Sequence, residues 1–187
     1  VFDDQGILFL ANYNSAQIVR IDPNGNVLNV FASGVANPIS LDFNSQGILY
    51  TNNNYNNALT SINQNGVKNV LHTSSFNNSS LTIDDNDNIY VSDYNSGVIK
   101  KIDAQSQSES TFTNLPIVTG GVGFIIYSQG YFFASAIRDN VIYMIDENGN
   151  FQKIAGQEGG AGIIDGIGNV ATFDKPNGMV TSPDGKT

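Results

Sequence analysis

The sequence has no cysteine, a single histidine, and only 8 lysines and arginines against 17 aspartates and glutamates in 187 residues. Each shortage removes a class of chemistry. Without cysteine there are no disulfides, no thiolate metal sites and no thiol nucleophile. With His72 alone there is no histidine-rich metal centre, and a general base has to be that residue or a carboxylate. The net charge of −9 leaves no basic face for nucleic acid, whose phosphates require one. No apolar run approaches the roughly 18 residues of a membrane span, and Val1-Phe2-Asp3-Asp4 lacks the basic start and apolar stretch of a signal peptide. Charged residues make up 13% of the chain, well below the roughly 25% of average proteins. Low lysine content with abundant Asn, Ser and Thr suits an extracellular or periplasmic protein. What remains is 40% hydrophobic and 10% aromatic, enough for one ordinary domain over residues 1–187.

The chain repeats itself. The stretches ILFLANYNSAQIVRIDPNG (7–25), ILYTNNNYNNALTSINQNG (48–66), NIYVSDYNSGVIKKIDAQS (88–106) and YFFASAIRDNVIYMIDENG (131–149) can be laid on one another. Their last aliphatic anchors, Ile21, Ile62, Ile102 and Ile145, are spaced by 41, 40 and 43 residues. Within each unit short alternating apolar strands are separated by Asn-Gly or Asp-Asn turns, where Gly and Asn accept positive φ at little cost. No ten-residue stretch shows a 3.6-residue apolar period with capping signals, so helix content should be near zero. An all-β chain with four strands per unit of about 40 residues predicts a β-propeller of four-stranded antiparallel blades. Blades are expected at about 1–35, 36–76, 77–116 and 117–156, with a linker and the first strand of a next blade over 157–187.

In such a fold the loops between second and third strands open on one face. They are NYNSAQ (12–17), NNNYNN (52–57), DYNSG (93–97) and AIRDN (136–140), and they predict a rim carrying Tyr13, Asn14, Asn54, Tyr55, Tyr94, Asn95, Arg138 and Asp139. Flat rings beside amides and a guanidinium suit sugars or extended peptides. The same residues also serve simply as turn formers. Asp84-Asp85-Asn86-Asp87-Asn88 has the oxygen ligands of a calcium loop, but it falls at a hairpin turn where side chains bond the backbone, which is the stronger reading. His72 reads as an ordinary strand-end residue, Asp165 as a linker-fixing acid, and Glu158 as solvated.

YVSDYNSGVIKKID (90–103) resembles the NHL repeat, and IAGQEGGAGIIDGIGNVATFDKPNGMVTSPDG (154–185) resembles the long linker between NHL blades. PNGMVTSPDGKT (176–187) is similar to a segment of gluconolactonase and regucalcin-like propellers, in which the Asn ligates a divalent metal such as calcium. That resemblance implies Asn177 as a metal ligand. At the equivalent depth of the other blades stand Ile39, Ser79 and Val122, so the ligand set departs from the family pattern. NYNSAQIVRIDPNG (12–25) resembles streptogramin-inactivating lyases. Both main families usually close with six blades, which implies that these four belong to a larger ring.

The leading expectation is a non-catalytic binding propeller facing a protein, peptide or glycan, since no Ser-His-Asp or Cys-His constellation is present. The alternative is a metal-dependent, lactonase-like hydrolase built around Asn177.

Overall fold

The computed structural model describes residues 1–73 and 77–182. They form fifteen strands, and the only helical feature among them is one 3-10 turn at Gly168–Val170. The strands fall in chain order into β1 (Leu8–Asn12), β2 (Gln17–Ile21) and β3 (Val27–Ser33); β4 (Pro38–Phe43), β5 (Leu49–Asn53), β6 (Ala58–Ile62) and β7 (Lys68–Thr73); β8 (Asn78–Ile83), β9 (Ile89–Asp93), β10 (Val98–Ile102) and β11 (Glu109–Asn114); and β12 (Val122–Ser128), β13 (Tyr131–Ala136), β14 (Val141–Asp146) and β15 (Phe151–Gly156). Each group makes one sheet in which consecutive strands are neighbours. Phe2 adds an antiparallel bridge to Leu8 on the first sheet. This is the meander of propeller blades, and the all-β propeller expectation holds.

The chain gathers into two compact units, Val1–Leu81 and the remainder from Thr82. In the first unit, Phe9, Ile18 and Ala32 from the first sheet join Leu49 and Ile62 from the second in one buried cluster. Phe9 is its hinge, meeting Phe31 edge-on at 5.0 Å and Phe43 at 5.1 Å. Edge-to-face rings bury large area without stacking their negative faces. In the second unit Phe132 is fully buried among Tyr90, Phe112 and Tyr127, where β9, β11 and β12 converge on β13. Of the four anchors that define the repeat, Ile62, Ile102 and Ile145 are buried and Ile21 is partly so. The sequence period therefore marks a strand position that is buried in three of the four sheets, with Ile62 and Ile145 in the two core clusters.

The turns explain why the period is legible. Asp3, Asp22, Asn44, Asn63, Asp84 and Asp146 each accept, on one side-chain oxygen, the backbone N–H groups two and four residues on, at 2.8–3.1 Å. The carbonyl of each also receives the N–H three residues on, from Gly6, Gly25, Gly47, Gly66, Asp87 and Gly149. That fourth residue has positive φ in all six turns, between 64° and 86°. Aspartate and asparagine bonding their own backbone two residues on is the reason these residues favour turns.

A second device ties neighbouring first strands together. Ser40 Oγ on β4 accepts the Leu81 N–H of β8 at 2.7 Å. Thr82 Oγ1 on β8 accepts the Tyr127 N–H of β12 at 3.0 Å.

Candidate binding loops

The turn reading of Asp84–Asn88 is what the structure shows. The Asp84 carboxylate accepts Asn86 N–H, Asn88 N–H, the Asn88 side-chain amide and the Tyr90 hydroxyl. The loop holds itself together with the oxygens a calcium ion would use. Tyr127 bridges from the same region, with its hydroxyl 3.0 Å from Asp85 and 3.3 Å from Glu147. Burial, then the hydrogen bond and charge of Asp85, pushes the Tyr127 phenol up to about 12. Burial, with the charge of Asp84, pushes Tyr90 up as well.

At the opposite ends of the strands the loops are organised differently. Asn52 and Asn53 belong to β5, where they are buried, so the loop in this blade begins at Asn54 rather than at residue 52. Tyr13 donates its hydroxyl to Asn54 Oδ1 at 3.0 Å, the Asn54 N–H donates to the Asn37 carbonyl at 3.0 Å, and Asn37 Nδ2 returns to the Tyr13 carbonyl at 3.1 Å. These three bonds join the β1–β2 loop, the β3–β4 link and the β5–β6 loop. Tyr55 projects from this platform with 82% of its surface exposed. Asn14 is exposed nearby in sequence.

In the second unit the Arg138 guanidinium lies 5.7 Å from the centre of the Tyr94 ring, a cation–π arrangement. Tyr94, Asn95 and Arg138 are exposed. Asp139 is not: it is 3% exposed, and its carboxylate accepts Val118 N–H at 2.7 Å, Thr119 N–H at 2.8 Å and the Thr119 hydroxyl. Its chemistry is directed at fixing the segment before β12. Sequence reasoning did not single out Asn37 or the Val118–Thr119 partner of Asp139. Asn37 had a signal in the sequence, since an asparagine immediately before a proline marks a turn; its φ of 53° and its bond to the Tyr13 carbonyl had none.

Asn177 is exposed. Its side-chain oxygen sits against Gly123, 3.2 Å from where a β-carbon there would stand, and its carbonyl accepts the Ser135 hydroxyl at 3.0 Å. Among the described residues no three His, Asp or Glu side chains come together as a metal site would need. Asp165 lines an open depression of about 430 Å³ with Ile163, Ile164, Phe173 and Asp174. Glu158 pairs with Lys153 at 3.1 Å, and His72 lies partly buried in β7 opposite Leu59.

Solved structures similar to this chain are propellers, and the fold they define is a β-propeller. An auxiliary nutrient binding protein from Bacteroides thetaiotaomicron aligns over 100% of this chain and 48% of its own, with a TM-score of 0.81 and 18% identity. One from Bacteroides ovatus aligns over 98% and 48%, at 0.78 and 15%. Virginiamycin B lyase from Staphylococcus aureus aligns over 82% and 53%, at 0.68 and 19%. The chain thus spans about half the length of these structures. No protein-family model matches the sequence, and no curated protein does. Among the described residues no helix is long and apolar enough to cross a membrane.

Proposed function

We propose that this protein is a non-catalytic binding propeller presenting an Asn- and Tyr-rich loop face to a protein, peptide or glycan. The observation that carries the reading is the Tyr13–Asn37–Asn54 ring of hydrogen bonds, which fixes the loops while leaving the Tyr55 ring in water. An exposed ring on a fixed platform loses little freedom on binding, and its flat face covers the apolar patch of a sugar or peptide while amides take the polar edge. The Arg138–Tyr94 pair offers a second such surface in the other unit. The nutrient-binding propellers similar to this chain support a role in capture, and an extracellular or periplasmic location fits the low lysine content. A six-bladed ring of NHL type is part of the same reading. Closure would cover the apolar side chains left exposed on β1 and β3 (Leu10, Leu28, Val30) and in the linker (Ile163, Ile167).

Screening on glycan and peptide arrays identifies the ligand. Tyr55→Ala and Tyr94→Ala should each abolish its capture, and unchanged affinity in both removes the loop face from the account. The hydrolase alternative, in which Asn177 holds a divalent ion that polarises a carbonyl, rests on the exposed Asn177 side chain beside Gly123. Calorimetric heat with calcium, zinc or manganese that disappears in Asn177→Ala would turn the assignment to that enzyme.

A further inference from the structure

Asparagine stands immediately before glycine at Asn24, Asn65, Asn148 and Asn177. The pairing is chemically labile, because a glycine has no β-carbon to obstruct attack by its nitrogen on the amide carbon of the preceding side chain. All four asparagines are exposed, so access of water does not separate them. The hydrogen bonds of the glycine nitrogens do.

In the three hairpin turns the glycine N–H is already committed. Gly25, Gly66 and Gly149 donate to the carbonyls of Asp22, Asn63 and Asp146 at 2.8–3.0 Å. The asparagine before each donates its own N–H to the side chain of the same residue at 2.9–3.0 Å. Gly66 and Gly149 are also packed against the Phe31 and Phe112 carbonyls. A nitrogen whose proton is held in this way reacts only when the turn opens.

Asn177 and Gly178 lie outside any strand or turn, and the Gly178 N–H has no acceptor among the described residues. The peptide group between them is tied through its oxygen instead: the Asn177 carbonyl accepts the hydroxyl of buried Ser135 at 3.0 Å. A donor on that oxygen stabilises the negative charge that spreads over the peptide group when its nitrogen loses a proton.

We propose that Asn177 is a site of spontaneous covalent modification, converted through a cyclic imide to aspartate and isoaspartate, while the fold spares the three turn pairs. The Gly178 nitrogen gives its proton to solvent base and bonds to Asn177 Cγ. The Cγ–Nδ2 bond breaks, and the amide leaves as ammonia with a proton from water. Water then adds to one of the two ring carbonyls and opens the ring. Nothing is oxidised or reduced, and water is the only co-reactant. Opening at one carbonyl gives aspartate. Opening at the other routes the chain through the former side chain, with an extra methylene in the backbone and a carboxylate in place of the carbonyl that met Ser135. Each event adds one negative charge, and the isoaspartate product alters the contact that holds residue 177 to β13.

The test holds the full chain in mildly alkaline buffer, digests it under mildly acidic conditions and quantifies isoaspartate in each Asn-Gly peptide by mass spectrometry. Asn177 should convert at least about tenfold faster than Asn24, Asn65 and Asn148, and the advantage should vanish in urea. Gly178→Ala places a β-carbon where φ is not left-handed and nothing lies within 4 Å. It should suppress conversion at Asn177 and leave the urea midpoint unchanged. Comparable rates at all four sites in the folded chain, an advantage that persists in urea, or undiminished conversion in Gly178→Ala overturns the proposal.

Discussion

The two ends of the strands use the same amino acids for opposite purposes. At the hairpin turns closed by Asp22, Asn44, Asn63, Asp84 and Asp146, every such side chain turns back on its own backbone. At the other end, Asn37 and Asn54 tie one loop to another, and Asn14 and Asn95 face water. The difference is geometric. A turn of fixed length closes on its own first residue, while a loop between second and third strands lies beside a loop from a different blade. An amide count cannot separate these roles, and the loop end holds both, since Asn56 Oδ1 accepts the Ala58 N–H and Asp93 Oδ1 the Asn95 N–H.

The comparison breaks hardest at glycine. Gly66 has φ of 77°, and a β-carbon there would stand 2.3 Å from the Phe31 carbonyl oxygen. Gly66→Ala should cost about 3 kcal/mol in urea unfolding, combining left-handed strain with that clash. Gly25 occupies the same turn position at 86° with nothing within 4 Å. Gly25→Ala should therefore cost about 1 kcal/mol, and equal losses at the two sites would refute the clash. Next comes Asp84→Ala, which strips the partner from the Asn86 and Asn88 backbone N–H groups, the Asn88 side-chain amide and the Tyr90 hydroxyl, and should cost about 2 kcal/mol by the same measurement.

A pH titration sharpens the comparison. Hydrogen bonds hold the Asp22, Asp103 and Asp146 carboxyls below their ordinary 3.8, led by the Asn26 side chain, the Ser106 backbone and the Asn150 side chain respectively. A lowered native value means the stabilisation is complete above the ordinary range and disappears as pH falls through the native value. The urea midpoint should stay level from pH 7 to about 5 and drop below about pH 4. Asp146→Asn should flatten that drop, because Asn44 and Asn63 perform the same closure with an amide oxygen. The smallest effect on stability belongs to the exposed ring. Tyr55→Ala should shift unfolding by less than about 0.5 kcal/mol, so its loss of ligand capture can be read without a folding correction.

Much of this architecture was legible before any coordinates. The anchors Ile62, Ile102 and Ile145 recur because each stands at or beside the end of the third strand of its sheet as a buried aliphatic side chain. The Asp-x-x-Gly and Asn-x-x-Gly spacing is visible because the turn chemistry is local. What lay beyond the sequence was long-range. Nothing in NNNYNN tells that its first two asparagines finish a buried strand, since alternation fails where polar residues occupy inward positions. Asp139 looked like a loop acid, and only its approach to Val118 and Thr119, some twenty residues earlier, reveals its engagement.

The interchangeability of Asp and Asn at the head of the hairpin turns has a consequence for how this protein can drift. Trading one for the other at Asp3, Asn44 or Asn63 alters overall charge by one while the closing oxygen stays in place, whereas at Asp22, Asp84 and Asp146 the second oxygen also accepts the side-chain amide four residues on and the exchange gives up that bond. The molecule thus carries a set of sites through which its electrical character can be retuned, stepwise and independently of its shape, to suit waters of different salinity or acidity.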